Sequence, residues 1–223
     1  MHFGQGATEA VQPVSTVDAL AKVLGKQILD GTLPAGTQLR EAEISQNFGV
    51  SRHSVRSALQ VLVHEGIARH AANRGVFVPE FTGAEIAEMF RLREVLEVEA
   101  VNRIVAGLAD LSRPSAALEA LRSLPADSDW GTVRDADLAI HKALIETTEN
   151  QRIIRTFNTL MAELRLSMLH LRKEFEHRQW VVRQHESLLE ALKAGDGDRA
   201  IEWIRKHNSE SISDLSEGIS VSR

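Results

Sequence analysis

The chain has 223 residues, enough for one large or two modest domains with a real core, and no cysteine, which excludes a disulfide framework and any thiolate metal site. Its net charge of −5 would argue against nucleic acid if it were evenly spread, but residues 1–79 carry 7 Lys or Arg against 6 Asp or Glu, and residues 80–223 carry 19 against 25. Between 51 and 79 the balance is Arg52, Arg56, Arg69 and Arg74 against Glu65 alone, so any basic face is local and lies near the amino terminus.

Residues 1–14 have no periodic pattern and are expected to be a flexible start. MHFGQGATEA lacks both a basic opening and an apolar run. No later stretch approaches the roughly 18 apolar residues of a membrane span, so the expectation is a cytoplasmic protein with no membrane partner. Val17, Leu20, Ala21, Leu24, Ile28 and Leu29 fit a helix that stops at Gly31, with Pro34 and Gly36 in the turn beyond. Glu41 to Phe48 can form a short helix ended by Gly49. Ser51 is placed to cap a third helix with the apolar face Val55, Leu59, Leu62 and Val63. After Gly66 the period changes: Ile67–His70 and Val76–Val78 read as short strands joined by AANRG, where Asn73 and Gly75 favour a turn. Pro79 closes this unit, 80–83 is the linker, and Thr82-x-x-Glu85 is a capping-box pair opening a long helix.

Six helices are predicted from there, over 84–107, 113–122, 131–148, 151–173, 175–194 and 197–217, with 218–223 a tail. The fold class is therefore mainly α: a winged helix-turn-helix over 15–79 followed by an all-α six-helix bundle over 84–217.

In the first unit, Arg52 and Arg56 stand one turn apart at the start of a helix short enough to enter a major groove, and Asn73-Arg74-Gly75 offers a cation on a thin loop. Ordinary solvated arginines would look the same. The stretch GVSRHSVRSALQVLVHEGIARHAANRGVFV resembles the winged helix of the GntR family of bacterial transcription regulators, with its G-V-S-R-x-x-V-R-x-A-L helix, L-x-x-x-G and R-G-x-x-V wing, over residues 16–79. The resemblance implies that Arg52 and Arg56 face an operator, that Arg74 and Gly75 touch DNA from the wing tip, and that Ser51 and His53 belong to the same DNA-facing turn. The chain departs from the family at His53-Ser54, often Thr-Pro, at Ser57, often Glu, and near Ala42, where some members carry an arginine. The implied partner is a double-stranded operator with an inverted repeat, bound by a homodimer.

In the second unit Asp137, His141, Leu144, Ile145 and Thr148 share one helix face, which puts a carboxylate and an imidazole where a core should be. His185 falls with Val181, Leu188, Leu189 and Leu192, and His207 with Ala200, Trp203, Ile204 and Ser211, whereas His170 and His177 lie off the apolar stripes. One carboxylate and three imidazoles from three helices suit a divalent ion such as Zn²⁺, Ni²⁺ or Mn²⁺; the alternative is a hydrogen-bonded Asp137–His141 pair and two satisfied core histidines. A second polar pair, Arg93 and Glu97, sits mid-face on the first long helix, as a buried salt bridge or as a planar fork offered to a carboxylate. Arg165 is a further candidate on a facing helix, and Arg91 and Arg134 read as surface.

Residues 84–217 also resemble the FCD effector domain found behind GntR winged helices. That resemblance implies a metal held by Asp137, His141, His185 and His207, zinc first among the candidates, and a small organic acid bound at it by Arg93. Glu97, on the same helix face, and Arg165, on a facing helix, join Arg93 as effector-site candidates by their place. Two other functions are compatible with these residues: a regulator whose metal is structural or is itself the signal, and a metalloenzyme fused to a DNA-binding module with Glu97 as base. No nucleophile motif or phosphate loop supports the enzyme, so no catalytic residue is assigned and the reading is a ligand-responsive regulator, a repressor more than an activator.

Overall fold

The computed structural model describes residues 15–107, 109–168 and 178–221. Helix α1 (Thr16–Leu29) begins where the Ser15 hydroxyl accepts the Asp18 N–H at 3.1 Å, and it buries Leu20, Ala21, Leu24 and Ile28. Helix α2 (Glu41–Phe48) ends at Gly49, whose φ of 65° is the left-handed conformation that closes a helix at little cost to glycine. Helix α3 (Arg52–His64) is capped by Ser51, whose Oγ accepts the Ser54 N–H at 3.0 Å. Gly25 lets α1 and α3 approach closely: a Cβ there would stand 3.3 Å from Leu62 Cδ2.

The wing pairs β1 (Arg69–Ala71) antiparallel with β2 (Gly75–Phe77), in the register Arg69↔Phe77. Asn73 (φ 64°) and Gly75 (φ 73°) make the tight turn that the sequence predicts. The first strand begins two residues later than predicted, because Ile67 and Ala68 are drawn into the core beneath it. Residues 37–39 run beside β2, with Leu39 N–H to Val76 O at 2.8 Å and Val78 N–H to Thr37 O at 2.9 Å.

The remaining helices are α4 (Gly83–Val105), α5 (Ser112–Arg122), α6 (Trp130–Glu146), α7 (Gln151–Ser167), α8 (Arg178–Lys193) and α9 (Gly197–Val221). The Thr82–Glu85 capping box forms in both directions: Thr82 Oγ1 accepts the Glu85 N–H at 3.2 Å, and Glu85 Oε2 accepts the Thr82 N–H at 2.8 Å. The predicted end of α7, the predicted start of α8, and His170 and His177 lie outside the described residues. Helix α9 continues past the predicted 217. Its apolar face joins Leu215 to Ile86, Phe90, Leu138 and Leu164, while a larger core of Ala100, Leu144, Phe157, Leu188 and Ile204 fills the middle of the bundle.

Helix α7 belongs to both halves. Leu166 is packed into the core formed by α1, α3 and the wing, and Arg69 of β1 donates to Glu85 of α4 at 2.8 Å and to Glu163 of α7 at 3.3 Å. Phe81 lies beneath that guanidinium, 4.8 Å from its carbon.

Candidate functional site

Helices α6, α8 and α9 bring Asp137, His141, His185 and His207 together. One ligand atom from each lies within 4.8 Å of the others; the first three residues are buried and His207 is partly so. Hydrogen bonds hold two of the rings. His185 Nδ1–H donates to the Val181 carbonyl at 2.9 Å, one turn back along its own helix, which turns Nε2 toward the cluster. Arg93 Nη2 stands 2.5 Å from His141 Nε2, and since a guanidinium can only donate, that nitrogen is the acceptor. The proton of His141 is then on Nδ1, which faces Glu97 Oε1 at 2.7 Å, outside hydrogen-bonding angle.

His141 Nε2 and His185 Nε2 stand 3.0 Å apart, with Asp137 Oδ1 at 3.4 Å from His185 Nε2. Donor atoms this close from three helices are spaced to share one cation. Burial and the nearby Arg93 charge hold the His141 and His207 imidazoles well below their usual range, so both are neutral and able to coordinate. Trp203 stacks on His207, ring centroids 4.7 Å apart and 11° between planes, and meets His185 edge-on at 5.2 Å. Four converging ligand groups, with the His141 and His207 rings neutral, fit a divalent ion of the zinc, nickel or manganese type.

Arg93 and Glu97 are each 0 % exposed and paired, Nε to Oε1 at 2.9 Å. The second oxygen of Glu97 receives Asn208 Nδ2 at 3.3 Å, so this carboxylate is fully engaged behind Arg93. The Arg93 fork is not: its Nη1 is buried with no hydrogen-bond partner. Arg93 lines a cavity of about 40 Å³ together with Asp137 and His207 of the cluster. Trp130, Trp180, Ser211, Glu210 and the exposed Asp214 continue the lining outward to solvent.

Two sequence expectations need revision. Arg134 is not on the surface but 3 % exposed, because seven residues before His141 it falls on the same inward face; its Nε and Nη2 donate to Asp135 at 3.1 and 2.9 Å. Arg165 does not line the cavity and is paired with that same Asp135. Arg91 is exposed, as predicted. Asn208, Trp130 and Trp180 give no sequence signal of their own: periodicity says that a side chain turns inward, not which inward side chains converge.

On the other half, Ser51, Arg52, His53 and Arg56 are exposed on the first turn of α3, and Arg74 and Gly75 on the wing tip. Ser51 is committed to its helix cap. Arg74 lies over the Phe77 ring at 4.6 Å, with Nη2 3.4 Å from the Gly36 carbonyl.

The comparisons with known proteins match both halves. Residues 16–78 match the model for bacterial regulatory proteins of the gntR family, and residues 88–210, over half the chain, match the FCD domain. The chain belongs to the GntR family. Among its relatives, the HTH-type transcriptional regulator LutR of Bacillus subtilis is 30% identical over 78% of this chain and 89% of that one. The gluconate operon transcriptional repressor of the same organism is 28% identical over 94% and 88%. A GntR regulator from Rhodococcus sp. RHA1 superposes with a TM-score of 0.78 at 29% identity, covering 89% of this chain and 96% of that one. This GntR protein is therefore a DNA-binding transcription regulator and not an enzyme. No helix among the described residues is long and apolar enough to cross a membrane.

Proposed function

We propose that this GntR protein is a cytoplasmic repressor whose residues 15–79 bind an inverted-repeat operator as a homodimer, and whose residues 84–217 bind a divalent ion and, at that ion, a small carboxylic acid. The observation that carries the reading is Arg93, whose Nη1 is buried without a hydrogen-bond partner and which lines a cavity together with two of the four cluster residues. A cation bound beside Arg93 would repel it, and an anion between them removes the conflict. Glu97 and Asn208 keep the guanidinium and His141 in place rather than touching the guest. The ion, once bound, supplies the positive floor on which one carboxylate oxygen sits.

The cavity takes roughly three waters in this conformation, which suits a carboxylate head, with the rest of the guest between Trp130, Trp180 and the polar groups farther out. Two relatives are named as repressors of gluconate and galactonate operons, so hydroxylated acids head the panel to be tried. Coupling to DNA runs through α7, because Met168 at its end lines the cavity and Leu166 lies in the core of the winged helix. Linkage makes the effect reciprocal: an acid that weakens operator binding is itself bound less well by the DNA complex. The test is operator affinity of chelated protein, of protein reloaded with zinc, nickel or manganese, and of each with candidate acids added. A response to metal alone, with none to any acid, would make the ion the signal.

The DNA half makes its own prediction. Replacing Arg52 or Arg56 by alanine is expected to cost ~1–3 kcal/mol at the base pair it reads and to relax preference there. Arg74→Ala should weaken all sequences alike and lower the salt slope by about one. Equal binding of wild type and Arg52→Ala across a panel of single-base-pair operator variants would remove Arg52 from the base-reading set.

A further inference from the structure

We infer that Glu41, in the first turn of α2, is a positioning residue for sequence recognition by Arg56. The inference rests on the reading of Arg56 as a base-contacting side chain.

Arg56 Nε and Nη2 donate to Glu41 Oε1 and Oε2, both at 2.9 Å, across fifteen residues and the helix-turn-helix bend. The contact is side-on and bidentate. It uses Nε–H and one Nη2 hydrogen and leaves Nη1 and the second Nη2 hydrogen as a pair of parallel donors. That pair is the edge that reads the O6 and N7 of a guanine.

As a stabilising device the pair has little to offer. The Arg56 side chain is 64% exposed and that of Glu41 34%, the range in which ion pairs contribute little to folding. Its effect is on geometry: a long cation on the exposed face of α3 is held in one plane before DNA arrives, so less rotamer freedom remains to be lost on binding. The pairing also holds the Glu41 carboxyl below its usual range, first through the hydrogen bond from Arg56, so it stays an anion. An anion beside a DNA-reading arginine repels phosphates and so penalises binding that does not satisfy Arg56 with a base. Glu43, two residues on, gives the contrast, since it pairs with Arg40 rather than with α3.

The test uses the full-length protein and duplexes selected from a randomised library by the wild type, with each base pair of the consensus replaced in turn and a scrambled duplex as reference. Arg56→Ala identifies the base pair that Arg56 reads. Glu41→Gln is expected to lower discrimination at that same pair by about tenfold, with binding to the scrambled duplex unchanged or tighter. The double variant should discriminate no worse than Arg56→Ala alone. Glu43→Gln, which removes a carboxylate from the same turn, should keep the full preference. Loss of affinity by Glu41→Gln equally on every duplex, or full retention of preference where Arg56→Ala loses it, overturns the inference. Should Arg56→Ala change no base preference, the reading of Arg56 itself fails, and the role of Glu41 with it.

Discussion

Purified protein is expected to carry close to one divalent ion per chain, and the pair of substitutions His185→Ala and His207→Ala to abolish it. The reason lies in the convergence of the ligand atoms. Asp137, His141, His185 and His207 each bring one within 4.8 Å of the others, with the two Nε2 atoms of His141 and His185 3.0 Å apart and Asp137 Oδ1 3.4 Å from the latter. Burial and the Arg93 charge keep His141 and His207 unprotonated, the form in which an imidazole coordinates. Metal–nitrogen distances of ~2.0–2.2 Å are expected in a crystal of the loaded protein. Because the ion binds the folded form, restoring it to chelated protein should raise the melting temperature, with a gain of about 2.7 kcal/mol when free metal is a hundredfold above its dissociation constant. Metal analysis after dialysis and thermal unfolding with and without chelator measure both. Metal retained by the double variant would show that the ligands are wrong. A wild type that neither carries metal nor responds to added zinc, nickel or manganese would leave the cluster a polar core.

The elements that sequence reasoning located best are those with a local cause. Ser51 caps α3, Thr82 and Glu85 close a capping box, and Asn73 and Gly75 turn the wing, each within a few residues. The four cluster residues were also legible, because each is a polar group at an apolar period. What was not legible depends on distance in the chain. Gln38 bridges to Phe77 although nothing about the polar residues 37 and 38 reads as a strand partner. Glu41 reaches Arg56 only because the turn between α2 and α3 folds one over the other. Arg134 is a different case: its seven-residue spacing from His141 marks the inward face, and only the residue type argues for the surface. A long cation whose charge finds a carboxylate, here Asp135, is readily buried.

Removing the planar fork of Arg93 while keeping its charge is expected to weaken the response to acid and leave metal binding and DNA binding in place. The simplest substitution, Arg93→Ala, is the wrong experiment. Arg93 and Glu97 are both fully buried and paired at 2.9 Å, so alanine would strand the Glu97 carboxylate with little but the Asn208 amide at 3.3 Å. Breaking a buried pair on one side costs about 3–5 kcal/mol, enough to confuse a lost ligand with a lost fold. Arg93→Lys avoids this, since an ammonium still neutralises Glu97 but offers a point charge in place of parallel donors. Hydrogen bonds to a charged partner are worth about 1.5–3 kcal/mol, so the lysine variant should bind the acid roughly ten- to a hundredfold more weakly. A second variant, Arg93→Met with Glu97→Met, removes both charges together, which buried sites tolerate far better than removing one. It should fold, keep the operator, and show no acid response at all. A thermal-shift screen of hydroxy acids, keto acids and dicarboxylates on metal-loaded wild type and both variants reads the outcome. Stabilisation of all three proteins by the same acid to the same extent would take Arg93 out of the site, and a guest that proves neutral or cationic would refute the anion pocket, because the unpartnered Nη1 that motivates it can only donate.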